Sequence, residues 1–340
     1  MDTKLLKLLS EVKLKEKQSY SNLLVYPFFY QNGNKLDYIC IDEAFSNKKV
    51  EITEIDEGGS VPELFLKNNS DDRVLLLDGE ELLGAKQNRI LNTSILIEKQ
   101  DKTKIPVSCV EAGRWGYNSA SFSSSDRMSP SSLKMRKSES VSRSLSSSAG
   151  MSYRSDQHEV WNEVERLSSS ARVYSPSSAM SDVFDSRTKD IEDYVKCFKP
   201  EEKQNGMIVF INNKIVGLEY ISNARVFPFL FKKLIRGYAM DALLDQETKS
   251  ETRFGKLFEN FIQKKMVKEF FDKIASSNEE KFKSVGLGDD HRLTTKDLVG
   301  SALSYEEEIV HLSVISRNIS ASNDDYSEFE SSNYIRRSSR

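Results

Sequence analysis

Residues Leu75 to Trp115 read LLLDGEELLGAKQNRILNTSILIEKQDKTKIPVSCVEAGRW, apolar runs around a dense set of carboxylates, amides and cations. Glu80 and Glu81 lie between Gly79 and Gly84, and Lys86, Gln87, Asn88, Arg89, Asn92 and Thr93 follow. The flanking VLLL and SILI are continuous apolar runs, so the polar stretch between them is predicted to travel close to buried structure. Each polar group there needs a partner, because an unpaired buried one costs about 1–3 kcal/mol and a charge more. Two arrangements meet that need. In one, Lys86 and Arg89 face the carboxylates in an internal salt-bridge network that pins the loop. In the other, the groups line a pocket for a polar small molecule. Lys86 and Arg89 then hold phosphate or carboxylate, Arg89 as a two-pronged fork, while Gln87, Asn88, Asn92 and Thr93 read amides, hydroxyls or a base edge. Glu80 or Glu81 can bond a ribose diol or, with its pKa raised by burial, act as a general base.

The following IPVSCVEAGRW adds Cys109, Glu111, Arg114 and Trp115. In a strand Cys109 and Glu111 share a face. Cys109 is thereby a candidate nucleophile beside an acid, although it has no histidine nearby in sequence and a small buried thiol is the commoner explanation. Arg114 and Trp115 together can clamp an anion and stack a flat ring. The candidate catalytic residues are Glu80, Glu81, Cys109 and Glu111. The candidate ligand-binding residues are Lys86, Gln87, Asn88, Arg89, Asn92, Thr93, Arg114 and Trp115.

These residues must be positioned by a scaffold, and the pattern around them is β-rich. From Leu23 to Trp115, runs such as LLVYPFFY, LDYICI, VEITEI and TSILI alternate with the turn formers Asn32-Gly33, Gly58-Gly59, Asn68-Asn69 and Asp78-Gly79. No helical pattern separates consecutive strands, so the sheet is predicted to be mostly antiparallel, a sandwich or barrel-like. Residues 119–148 are about half serine with few apolar side chains, a composition that predicts a linker or flap. Leu133, Val141 and Leu145 offer one alternative, a single face of a helix. Helical patterns follow in SDQHEVWNEVERLSSS, capped by Ser155 or Asp156, and in FPFLFKKLIRGYAMDALLDQ. Between them, GMIVFI and KIVGLEYI form a predicted hairpin around Asn212-Asn213. The expected class is α+β: a mostly antiparallel, β-rich N-terminal half with helices and a β-hairpin in the C-terminal half. Its expected divisions are a β-rich lobe over 1–117, a serine-rich linker or flap over 118–150, an α+β lobe over 151–325 and a polar tail over 326–340.

At 340 residues, 38% hydrophobic and 30% charged, the chain can bury a large core. A net charge of -3 supplies no basic field for nucleic acid or an anionic membrane, and neither is expected as a partner. The three cysteines, Cys40, Cys109 and Cys197, are far apart and never in a CxxC pair, which speaks against a disulfide scaffold or a zinc ribbon. The start resembles no signal peptide and no run reaches the ~20 apolar residues of a membrane-spanning helix, so a cytoplasmic protein is expected. His158, His291 and His311 show no metal-binding spacing, and no metal is expected. VGLGDDHRL is predicted as a turn, from which Asp289 and Arg292 can supply a second wall of the pocket. The serine-rich segment and amphipathic helices leave a protein partner as the rival to a small-molecule ligand.

DGEELLGAKQNRILNTSI followed by IPVSCVEAGRW resembles the signature of the ARG and rhodanese-phosphatase-superfamily-associated protein domain family, found in bacteria and archaea. The later EVW, GLE, YAMDALL and GLGDDHRL are similar in order and spacing, so the resemblance spans most of the chain. Ala112 stands where the family has glutamine, which removes a side-chain contact. The resemblance implies the company of ADP-ribosylglycohydrolase-type and phosphatase-type proteins, and hence a nucleotide-like or ADP-ribose-like ligand. It names no particular reaction and leaves any cofactor unknown.

Overall fold

The computed structural model describes residues 1–33, 35–56, 60–147, 152–245 and 256–317, of which 256–260 are described by backbone alone. Gly58-Gly59 and the 326–340 tail lie outside these residues. The chain is α+β with a β-rich N-terminal half. Its described strand pairings are antiparallel, apart from Ile39–Cys40 running parallel to Val74–Leu76.

The largest sheet has nine strands drawn from both ends of the chain. Leu23–Phe29 pairs with Gly206–Ile211, which turns back through Lys214–Ile221 and meets Glu308–Ser316. The sheet thus joins segments that the sequence reading assigns to separate lobes. Asn212 and Asn213 adopt positive φ of 48° and 62°, the two left-handed residues that a tight hairpin of this twist requires. Both faces of the sheet's central strands are buried, which is why they read as unbroken apolar runs. Leu24, Tyr26, Phe28, Ile208 and Phe210 face a core closed by Leu5 and Leu8 of the helix Thr3–Glu11 and by Phe270 and Ile274 of the helix Lys256–Ala275. Leu23, Val25, Met207 and Val209 point the other way, into a core shared with the helices Gln157–Ser170 and Phe227–Leu244. Asp156 caps the first of these by accepting from the amides of His158 and Glu159. No described helix is long and apolar enough to cross a membrane.

The polar block belongs to a six-stranded sheet ordered Phe122–Met128, Glu80–Gly84, Arg89–Leu91, Lys102–Cys109, Glu63–Asn68, Val50–Thr53. Its apolar face packs Leu64, Leu66, Leu82, Leu91 and Ile105 with Val74, Leu76, Ile95 and Ile97 of the three-stranded sheet.

The serine-rich segment differs from the linker or flap expected of it. Phe122–Met128 is a strand beside Glu80–Gly84, and Ser131–Ser146 is a helix that buries Leu133, Val141 and Leu145. Those three residues are the face that the alternative reading singled out. Buried with them are Ser131, Lys134 and Lys137, which bond to Asp241, Glu219 and Asp78. Low apolar content argues for disorder when burial must come from hydrocarbon. Here charge-assisted hydrogen bonds, each stronger than a neutral one, replace it.

Candidate functional site

The fold divides the polar block among three places. The first is a rim around Arg89. Gly84 (φ +128°) and Ala85 (φ +41°) turn the chain from Glu80–Gly84 into Arg89–Leu91. A Cβ on Gly84 would sit 2.7 Å from Ser119 Oγ, so no larger residue fits this turn. The turn carries Lys86, Gln87 and Asn88, and Arg89 opposes Cys109 across the strand pair. The Arg89 side chain is 0% exposed. Its Nη1 donates to Gln87 Oε1 at 2.9 Å, whereas Nε and Nη2 make no hydrogen bond. The nearest carboxylate, Glu54, stands 4.0 Å from Nη2. Desolvation by burial lowers the Arg89 pKa.

Glu111 anchors the far side of this rim. Arg114 grips it with two bonds, Nε to Oε1 at 2.8 Å and Nη2 to Oε2 at 2.6 Å, and also donates to the Ala85 carbonyl at 2.9 Å. Gln87 Nε2 donates to the Glu111 carbonyl at 2.8 Å and the Asn88 amide to Glu111 Oε2 at 3.1 Å. Asn88 Nδ2 reaches Ser181 Oγ at 3.3 Å. Above the rim, Trp115 (52% exposed) and Tyr117 (54%) present their rings. Lys86 Nζ lies 5.3 Å and 5.0 Å from those ring centres, and the Arg89 guanidinium 5.9 Å from that of Trp115. Cations at such distances from aromatic faces are held by the ring quadrupole.

The second place holds Glu80 and Glu81, which as strand neighbours point to opposite faces and share no site. Glu80 accepts from the Leu77 amide at 2.7 Å and from Lys233 Nζ at 2.9 Å, and Lys233 also bonds Asp42 at 2.7 Å. Burial raises the Glu80 pKa, and Lys233 opposes the rise. Glu81 accepts from Ser125 at 2.9 Å and Arg127 at 3.3 Å. A register shift between Ser124 and Met128 lets both donors reach it. Burial pushes the Glu81 pKa up to about 7 against the pull of Arg127.

The third place lies under the serine-rich helix. Asn92 donates to the Tyr153 carbonyl at 2.9 Å and accepts from Ser108. Thr93 donates to Asp290 at 2.6 Å, and Arg292 Nη2 bonds both Thr93 and Asp290 at 2.8 Å. Of the two residues expected to supply a second wall, Arg292 joins Thr93 and Asp290 in this cluster, away from the Arg89 rim. Asp289 faces Lys281 and Lys283 instead.

Glu54, Tyr117, Lys233, Lys134 and Lys137 are polar-site residues that the sequence did not single out. Glu54 lies just past the alternating strand Val50–Thr53 and signals nothing but its own burial. Lys233 sits inside a helical pattern and Lys134 and Lys137 in the segment read as a linker or flap, places where such residues usually face solvent. Cys109 and Glu111 do not form the expected pair, because the Glu111 carboxylate is taken by Arg114 and the Cys109 thiol bonds the Glu111 carbonyl at 3.3 Å. Burial raises the Cys109 pKa despite Arg89, which keeps the thiol protonated. Among the described residues, no group of three or more His, Cys, Asp or Glu side chains is arranged to hold a metal ion.

The rim therefore combines an under-used guanidinium, two further cations and two exposed rings, a set able to receive an anion joined to a flat ring. A family model described as ARG and Rhodanese-Phosphatase-superfamily-associated Protein domain matches residues 11–315. No curated protein and no solved structure matches the chain.

Proposed function

We propose, from the premise that the chain belongs to the family of ARG and rhodanese-phosphatase-superfamily-associated protein domains, that it binds a nucleotide-like or ADP-ribose-like small molecule at the Arg89 rim. One observation carries this reading: a fully buried guanidinium whose Nε and Nη2 make no hydrogen bond. An unsatisfied buried donor costs about 1–3 kcal/mol, and a phosphate or carboxylate accepting from the Nε–Nη2 edge removes that cost. Trp115 and Tyr117 supply exposed faces on which a base can stack, while Lys86 adds positive charge beside them. Binding is what this set supports. Glu80 and Glu81 are engaged by Lys233 and Arg127, and a general base from either requires that pair to open.

The rival reading, a scaffold whose polar block holds the sheets and helices together, is favoured by those same occupied carboxylates. Both readings suit the cytoplasm, where the free buried thiols of Cys40 and Cys109 stay reduced.

A thermal-shift screen of the full chain with NAD, ADP-ribose and mononucleotides distinguishes them. A bound ligand at a hundred times its Kd stabilises by about 2.7 kcal/mol. The expected result is stabilisation by at least one of these in the wild type and none in Arg89→Met. A panel that leaves the melting temperature unmoved contradicts the binding reading.

A further inference from the structure

Ser94, His311 and Glu219 come from three separate strand segments and meet beneath the serine-rich helix. Ser94 precedes the strand Ile95–Ile97, while His311 and Glu219 lie on adjacent strands of the nine-stranded sheet, opposite Ile221 and Ser313 respectively. That register puts His311 and Glu219 on one face as diagonal neighbours. Ser94 Oγ is 2.8 Å from His311 Nδ1, and His311 Nε2 is 3.5 Å from Glu219 Oε2.

The proton positions follow from the remaining contacts. Ser94 Oγ accepts the Asp78 amide at 2.9 Å, so its own hydrogen is free to point at His311 Nδ1. With Nδ1 as the acceptor, the ring's hydrogen is on Nε2, 3.5 Å from Glu219 Oε2 and making no hydrogen bond there. Glu219 is in turn fixed by Lys134 Nζ at 2.6 Å and Tyr238 OH at 3.0 Å. Burial raises its pKa, but Lys134 opposes the rise more strongly than any other neighbour and keeps the carboxylate ionised. Hydroxyl, imidazole and carboxylate thus stand in the spatial order of an activated nucleophile. The long Nε2 to Oε2 separation is of the kind that shortens once a ligand is bound.

We propose that Ser94 is a nucleophile for acyl transfer from a carboxylic ester, with His311 as general base and Glu219 as the positioning carboxylate. This site is separate from the Arg89 rim and does not depend on the binding reading. Ser94 Oγ attacks the ester carbonyl carbon as its proton passes to His311 Nδ1, and Glu219 stabilises the imidazolium through Nε2–H. The tetrahedral intermediate expels the alkoxide, which takes the proton from Nδ1 and leaves as alcohol. Water then repeats the sequence on the acyl-Ser94 ester, releasing the carboxylic acid and restoring the hydroxyl. Ser94 is 3% exposed. An ester therefore reaches it when the helix Ser131–Ser146 moves aside, a helix tied down by Lys134 to Glu219 and by Lys137 to Asp78.

The test is incubation of the full-length protein with a fluorophosphonate, which reacts with serines activated in this way, followed by peptide mapping. The expected result is an adduct on Ser94 in the folded wild type, absent in Ser94→Ala and formed about a hundredfold more slowly in His311→Gln. Glu219→Asp should retain more of the labelling rate than Glu219→Gln, a ranking that loss of packing alone does not produce. The wild-type protein decides the matter even where a variant does not fold. Folded wild type that acquires no adduct on Ser94, or His311→Gln that labels as fast as wild type, overturns the proposal.

Discussion

The rim at Arg89 and the deep pairs beneath the helices use the same residue types to opposite effect. In the interior each cation meets a carboxylate: Lys137 with Asp78, Lys134 with Glu219, Lys233 with Glu80 and Asp42. At the rim Arg89 is as buried as any of them, yet two of its nitrogens make no hydrogen bond and its nearest acid is 4.0 Å away. Burial alone therefore does not mark a functional cation. What separates the two regions is whether a carboxylate stands against the cation: deep Arg292 also leaves Nε and Nη1 without a hydrogen bond, but its Nε is 2.7 Å from Asp290. On this account the Lys137–Asp78 and Lys233–Glu80 pairs carry stability and the rim carries binding.

The sharpest way to break this contrast is Lys137→Met. It leaves Asp78 buried without its counter-charge and should cost about 3–5 kcal/mol, read as a lowered urea midpoint or as loss of folded protein. A smaller effect tests the carboxylate on the other strand face. Because burial raises the Glu81 pKa from 4.5 to about 7, the folded protein binds a proton there that the unfolded chain has already released. Its contribution is present below pH 4.5 and is lost as pH rises through about 7. Asp241, raised from 3.8 to about 6, has the same sign, so Glu81→Gln should flatten the decline in stability across this window and leave a remnant. The change amounts to about 3 kcal/mol at most, measured by chemical denaturation at a series of pH values. Arg89→Met should alter stability by about 1 kcal/mol or less, since the unsatisfied donors leave with the charge, while ligand-induced stabilisation disappears. Smallest in stability is Trp115→Ala, within about 0.5 kcal/mol for a half-exposed ring. It should nonetheless weaken ligand binding roughly tenfold, about what one cation–π or stacking contact is worth. A Trp115→Ala protein with full affinity would detach the ring from the site.

Local features were legible in the sequence. Asn212-Asn213 carried its hairpin because only a few residue types tolerate positive φ twice running, and Asp156 carried its helix start because a side-chain oxygen can meet the first free amides. The polar block was visible because glutamates, amides and cations between apolar runs demand an explanation. Its division into three places was not visible, since the partners lie far away in sequence: Lys233 for Glu80, Arg127 for Glu81, Arg292 for Thr93. The serine-rich helix was hidden for the same reason. Lys134 and Lys137 look like solvent-facing residues until Glu219 and Asp78 are brought to them by the sheets. The pairing of Leu23–Phe29 with Gly206–Ile211 also leaves no local trace.

Isothermal titration of ADP-ribose and ADP into the wild type and Arg89→Met, with the fold of both checked by circular dichroism, tests the central claim most directly. The account predicts saturable heat with at least one ligand for the wild type and none for a folded Arg89→Met. A wild type that takes up neither ligand, or an Arg89→Met protein that binds as tightly as wild type, would contradict it.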